Sequence, residues 1–184
     1  MKREYQQQLL DIAHNAISQG LGDFHGKLPV LGTLPAELME KRATFVTLTI
    51  GGQLRGCIGM LEACRPLAED VKENACAAAF DDPRFPPLTK AEFVKLEIHI
   101  SILSPSEEMH FSSEADLLRQ IRPGTDGLIL QDGFRRGTFL PSVWAELPGK
   151  EQFWAHLKRK AGLPVNYWSD TLQVFRYTAE CFPA

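Results

Sequence analysis

Apolar residues recur along this chain with two different periods. Near the start, Tyr5, Leu9, Ile12, Ala13, Ala16 and Ile17 fall three or four apart. That spacing predicts an amphipathic helix with Gly20 at its C′ position. Residues 20–34 read as a loop containing Gly, Pro and Leu, after which Pro35 opens a short helix to about residue 39. The period then drops to two. Phe45-Val-Thr-Leu-Thr-Ile50 and Gln53-Leu-Arg-Gly-Cys-Ile58 are β-rich runs separated by Gly51-Gly52, the pattern of a hairpin with a two-residue turn.

A helix is predicted from Pro66 to about residue 80, with Leu67, Val71, Ala75 and Ala78 on one face. Its end, residues 75–79, is made of small side chains that allow close packing on a sheet or a second helix. Residues 81–87 are rich in proline and extended, and Thr89 with Glu92 forms a capping box. Residues 96–103 alternate, with Leu96, Ile98, Ile100 and Ile102 inward and Glu97, His99 and Ser101 on the other face. Ser112 or Ser113 caps a helix to about residue 121, and 127–140 reads as a second hairpin around Asp132-Gly133. A short helix over 141–147 precedes a stronger one over 150–161, stopped by Gly162 and Pro164, with Lys158, Arg159 and Lys160 at its negative end. A final strand is predicted over 171–178. Short strands mixed with helices, two hairpins among them, define an α+β fold with largely antiparallel sheets flanked by helices.

Composition changes this picture little. A chain of 184 residues with 44% apolar positions can bury ~70% of its unfolded surface and needs no metal or disulfide to fold. Twenty Lys and Arg against 23 Asp and Glu give a net charge of −3, no electrostatic signature for duplex nucleic acid or an anionic membrane. No apolar run approaches ~18 residues, and the opening MKREYQQQLLD is an amphipathic helix rather than a signal peptide. The expectation is a cytoplasmic, soluble protein. Cys57, Cys64, Cys76 and Cys181 are spaced 7, 12 and 105 apart, and the five histidines (His14, His25, His99, His110, His156) form no metal-ligand pair. Neither a metal nor a cofactor is expected.

The segment Leu54-Arg-Gly-Cys-Ile-Gly59, after Phe45-Val-Thr-Leu48, resembles the signature of the AMMECR domain family, whose prokaryotic members are called AmmeMemoRadiSam system protein A. Asp82-Pro-Arg-Phe-Pro-Pro-Leu88, Leu96-Glu-Ile-His-Ile-Ser-Ile-Leu-Ser-Pro105 and Gly124-Thr-Asp-Gly-Leu-Ile-Leu130 are similar in the same order, as are Phe139-Leu-Pro-Ser-Val143 and Lys160-Ala-Gly-Leu163. The resemblance implies one two-lobed α+β domain over 1–184 and no settled activity. A larger lobe is expected over 1–103 plus 165–184, and a smaller one over 104–164. It also implies the company of a Memo-type protein and a radical-SAM enzyme.

The hexapeptide carries its own chemistry. In a regular hairpin turning at Gly51-Gly52, Arg55 lies opposite Leu48 and Cys57 opposite Val46, so Arg55 and Cys57 share a face ~7 Å apart along the strand. A guanidinium beside a thiol favours the thiolate, the form that attacks electrophiles. Cys57 is therefore the candidate catalytic residue, although a buried Cys in a strand is also ordinary packing. Gly56 and Gly59 would let a ligand or another backbone approach. Asp82 and Arg84, on a loop stiffened by prolines, would either present charge to a ligand or form an ion pair that stops the preceding helix. His99 on its polar strand face is a possible proton shuttle or a solvated residue.

Three functions follow as expectations. The first is a cleft around the LRGCIG motif that binds a small molecule or a modified residue, with catalysis left open. The second is a non-enzymatic scaffold or adaptor for the Memo-type and radical-SAM partners. The third is an RNA-binding module using Phe134, Arg135, Arg136, Lys158, Arg159 and Lys160 with Phe153, Trp154, Tyr167 and Trp168. The negative charge and the core spacing of Phe153, Trp154 and Leu157 argue against this third reading.

Overall fold

Gly51 and Gly52 sit at φ of 57° and 76°. Only glycine adopts such values freely in succession, and they are those of a type I′ hairpin turn. On either side of them β1 (Thr44–Ile50) and β2 (Gln53–Gly59) pair antiparallel. The structure, a computed structural model, describes residues 1–22 and 33–183. The loop expected over 20–34 therefore falls mostly outside the described residues, as does His25.

Two compact units share the chain, residues 1–103 with the last residues from Glu180, and residues 104–179. In the first, α1 (Arg3–Gly20), α2 (Ala36–Met39), α3 (Leu67–Phe80) and α4 (Lys90–Phe93) accompany β1, β2 and β3 (Leu96–Leu103). β3 pairs antiparallel with β1, which places β1 between its two neighbours. Val46, Leu48, Ile98 and Ile100 point to one face of this sheet and pack against Leu9, Ile17, Leu67 and Val71 of α1 and α3. Leu38 of α2 joins the same core, and Phe93 of α4 packs against it. All four helices thus serve one face of the sheet. Thr89 caps α4 through the expected reciprocal bonds with Glu92.

A buried polar network ties α3 to β1. Asp70, with no solvent exposure, accepts from Thr44 N–H (2.9 Å), Thr44 Oγ1 (2.7 Å) and Asn74 Nδ2 (2.9 Å). Its other oxygen takes Arg65 Nε and Nη2 at 3.0 and 2.8 Å. Every oxygen of the buried carboxylate is engaged, which makes its burial tolerable.

The second unit holds β4 (Glu107–Glu108), α5 (Glu114–Gln120), β5 (Gly127–Asp132), β6 (Arg135–Phe139), a 3-10 turn over Pro141–Ala145, α6 (Lys150–Lys160) and β7 (Gln173–Tyr177). Its sheet runs β4-β7-β5-β6, and Leu117, Leu128, Leu130, Phe153, Trp154 and Leu157 fill its core. β8 (Ala179–Pro183) then returns to the first sheet, which is ordered β2-β1-β3-β8.

Three sequence expectations need correction. Residues 165–179 belong with the second unit rather than the larger lobe, because β7 pairs with β5 and β4 and only β8 crosses back. The expected single closing strand is accordingly two. Gly20 is the last helical residue rather than the C′ residue, and the left-handed conformation falls at Gly22 (φ 74°). What Gly20 supplies is space, since a Cβ there would lie 2.4 Å from the Phe80 ring.

Candidate functional site

The register of the first hairpin slips by one residue between Leu48 and Thr49. Thr49 faces Leu54 and Leu48 faces Gly56, so Arg55 is the extra residue of a β-bulge. Beyond it each residue of β2 is displaced by one position, and a one-residue slip moves side chains to the other face of a sheet. Cys57 therefore lies opposite Thr47, not Val46. The expectation that Arg55 and Cys57 share a face with Val46 and Leu48 fails at this bulge.

Arg55 is directed away to a partner of its own. Its Nε and Nη2 donate to the two carboxylate oxygens of Glu92 at 2.8 and 3.2 Å, and Nη2 also donates to the Pro86 carbonyl at 2.9 Å. Its guanidinium lies 5.7 Å from the Phe85 ring centroid, and the residue is 8% exposed. The Arg55 bond, with further bonds from Thr89, holds the Glu92 carboxyl down at about 2. The guanidinium thus serves the α4 cap rather than the Cys57 thiol. Glu92 was legible in the sequence only as a capping residue; no sequence signal placed it under Arg55.

Gly56 and Gly59 are approached by the protein itself. A Cβ on Gly56 would fall 2.1 Å from the Ala78 carbonyl oxygen of α3, and one on Gly59 would lie 2.3 Å from Phe45 and the Thr44 carbonyl. Of the two approaches expected at these glycines, by a ligand or by another backbone, the second is the one realised. The Gly56 contact is also the close packing expected of the small-residue end of α3.

Asp82 and Arg84 close the free edge of β2. The Cys57 N–H donates to Asp82 Oδ2 (2.9 Å), and Arg84 Nη2 donates to the Cys57 carbonyl (3.2 Å). Arg84 also binds Asp82 through Nε (2.9 Å), Nη2 (2.7 Å) and its backbone N–H (3.1 Å). These bonds, led by the Arg84 side chain, hold the buried Asp82 carboxyl well below the usual carboxylate range. Both polar backbone groups of Cys57 point away from β1, so Cys57 and Thr47 form a non-hydrogen-bonded pair, the kind whose side chains lie closest.

Their side chains do meet. Thr47 Oγ1 is 3.2 Å from Cys57 Sγ. On the other side of β1, Thr47 faces His99 of β3, so Cys57, Thr47 and His99 form one row across three strands. Beside it Thr49 Oγ1 donates to Glu97 (2.9 Å) and lies 3.3 Å from His99 Nε2. Ser101 Oγ is 3.2 Å from Cys181 Sγ at the far edge. This is the face opposite α1 and α3, and Cys57, Thr47, Thr49, His99 and Ser101 are all half-buried on it. Two strand spacings place His99 ~10 Å from Cys57, beyond direct proton transfer. Thr47 was not among the expected site residues, and only knowledge of the bulge reveals it.

The other expected groups lie elsewhere. Phe153, Trp154 and Lys158 of the RNA reading are buried, with Lys158 Nζ and Trp154 Nε1 both donating to Glu114 Oε1. The four cysteines are unpaired, Cys57 and Cys76 half-buried and Cys64 and Cys181 exposed. Among the described residues no group of three or more His, Cys, Asp or Glu is placed to hold a metal, and no helix is long and apolar enough to cross a membrane.

Fold and site together define an α+β protein of two units, each with its own four-stranded sheet, whose LRGCIG segment is a bulged edge strand. The chain belongs to the AMMECR1 family, whose model matches residues 10–182. It is similar to Protein MJ0810 of Methanocaldococcus jannaschii, 40% identical over 161 residues that cover 85% of this chain and 80% of that protein. A Methanothermobacter thermautotrophicus protein is 38% identical over 185 residues, covering 99% and 95%. The crystal structure of the uncharacterized protein PH0010 from Pyrococcus horikoshii superposes with a TM-score of 0.89 at 37% identity, covering all of this chain and 93% of that one.

Proposed function

We propose that the protein binds a small molecule or a modified amino-acid residue on the face of the first sheet that carries Cys57, Thr47 and His99. One observation supports this reading above others. The face opposite the helices carries half-buried hydroxyl, thiol and imidazole groups in register across three strands, with exposed Glu97 bonded to Thr49 beside them. Arg55, Gly56, Gly59, Asp82 and Arg84 are positioning residues in this proposal: they fix the bulge, the helix contact and the edge that aim Cys57 at this face. Binding is favoured over catalysis because the group 3.2 Å from the thiol is a Thr hydroxyl, which cannot act as a base. Within the same proposal, the Memo-type and radical-SAM partners implied by family resemblance would receive the bound ligand.

The test uses a variant that keeps Cys57 alone among the cysteines. N-ethylmaleimide should label Cys57 in the folded protein, and Thr47→Val should change the rate. Small-molecule metabolite fractions should shift the NMR signals of Thr47, Cys57 and His99, and His99→Ala should abolish the response. A thiol that stays unlabelled up to the denaturation midpoint, with no shifts on these residues, refutes the reading in favour of an adaptor.

A further inference from the structure

We propose a second binding site, contained in the second unit and independent of the Cys57 face: a groove that accepts an organic cation, an alkylated ammonium or a guanidinium group. β4 and β7 pair at Glu107 and Glu108, and Met109 N–H still donates to the Val174 carbonyl. Beyond that point the two segments part and enclose a groove of about 590 Å3, within the range of small-ligand sites. Glu108, His110 and Phe111 line one wall, and Trp168, Asp170 and Gln173 line the other.

The aromatic and charged groups select the ligand. The Phe111 and Trp168 rings both line the groove, with centroids 5.6 Å apart and planes at 59°. Aromatic faces attract cations through the ring quadrupole, and Trp does so best. The groove lining includes two carboxylates, Glu108 and Asp170, and no Lys or Arg. Glu108 accepts from Gln173 Nε2 (3.3 Å), whereas Asp170 is exposed and has no hydrogen-bond or ion-pair partner among the described residues. A carboxylate without a partner lining the same groove as two aromatic rings is the chemistry of an ammonium or guanidinium site.

Both walls are held in place before any ligand arrives. Asp132, at the turn of the β5–β6 hairpin, takes the Tyr167 hydroxyl on one oxygen (2.6 Å) and Thr171 Oγ1 on the other (2.8 Å). The loop bearing Trp168 and Asp170 is thus pinned on both sides by one carboxylate, and the Ser169 hydroxyl, 2.7 Å from Thr171 Oγ1, braces it from within. On the opposite wall Asp116 receives the Ser112 N–H (3.0 Å) and hydroxyl (3.2 Å), and Gln120 Nε2 donates to the His110 carbonyl (2.9 Å). A site organised in advance loses little entropy on binding.

Trp168 supplies the readout. The other two tryptophans, Trp144 and Trp154, are buried with their indole N–H groups bonded to Asp126 and Glu114. The full chain is titrated with choline as a free cation, with N-acetyl-arginine amide as a peptide-borne one, and with 3,3-dimethylbutanol as the uncharged isostere of choline. The expected result is a saturable change in tryptophan fluorescence with at least one cation at roughly millimolar concentration. It should be at least tenfold weaker with the alcohol and with Asp170→Asn or Glu108→Gln, and absent in Trp168→Phe. Which cation binds more tightly separates a free ligand from a side chain of a peptide. Equal binding of the alcohol, or no saturable change with either cation, overturns the proposal.

Discussion

Replacing Gly56 by Ala tests the tightest contact in the first unit. The added methyl would sit 2.1 Å from the Ala78 carbonyl oxygen and 3.1 Å from its carbon. Those are backbone atoms, which cannot rotate away, so α3 must retreat from β2 by about 1 Å to restore a normal contact distance. A gap of that size forfeits a quarter to a half of the dispersion contact along the facing residues, here Leu67, Val71, Ala75 and Ala78, all essentially without exposure. Overpacking of a core costs about 1–3 kcal/mol, and a collision with main chain belongs at the upper end. Gly56 is not at positive φ, so Ala can adopt its backbone and recovers ~0.4–1 kcal/mol through the stiffer unfolded chain. The net loss is about 2–3 kcal/mol, or about 4–12 °C in melting temperature for a chain of this size. Thermal unfolding followed by far-UV circular dichroism measures it. A variant that melts within ~1 °C of the parent, or above it, shows that α3 does not press on β2 as described.

Asp70→Ala removes the acceptor for Thr44, Asn74 and Arg65 together and should cost about 3–5 kcal/mol in urea unfolding; a loss under ~1 kcal/mol would mean the network is replaceable by water. Because the folded Glu92 pKa is depressed from 4.5 to about 2, its stabilisation is present above pH 4.5 and is lost as the pH falls toward 2. The melting difference between the parent and Glu92→Gln should therefore narrow steadily over that window, and a difference independent of pH contradicts the Arg55–Glu92 bond. Burial pushes the Cys76 thiol up, so exposed Cys64 should be alkylated well before Cys76 at neutral pH, as mass spectrometry of partly labelled protein can show. Arg55→Gln should lower stability, and adding Glu92→Gln to it should cost little more, because the guanidinium is committed to Glu92 and Pro86; losses that simply add would mean that the two side chains are not bonded.

The elements were legible wherever one local rule decided them. The Gly51-Gly52 turn, the capping box at Thr89 and Glu92, and the alternation of Leu96, Ile98, Ile100 and Ile102 each require only neighbouring residues, and each appears as expected. Long-range choices were less legible. Nothing in residues 165–179 announces whether their strand joins the first sheet or the second, because a run such as Val174-Phe-Arg-Tyr177 satisfies either. The site suffered most from a single residue. A bulge at Arg55 leaves no mark in composition or periodicity, since Leu54-Arg-Gly-Cys alternates acceptably in both registers, yet it decides which neighbours Cys57 meets.

The bulge and the edge clamp belong to one arrangement. An edge strand normally exposes N–H and C=O groups that invite pairing with another strand. At Cys57 both groups are already bonded, one to Asp82 and one to Arg84, so another strand cannot add there without breaking both bonds. The bulge one turn of the pleat earlier sends Arg55 toward the same loop, where Pro86 and Glu92 receive it. The Asp-Pro-Arg-Phe segment and the hexapeptide, far apart in sequence, are therefore two halves of one construction. Its product is a Cys57 whose N–H and C=O are both held at the edge and whose thiol lies 3.2 Å from the Thr47 hydroxyl. The residues that looked most like a reaction centre thus act by placing others, and chemistry at this face would have to come from the thiol, hydroxyl and imidazole row that they hold in register.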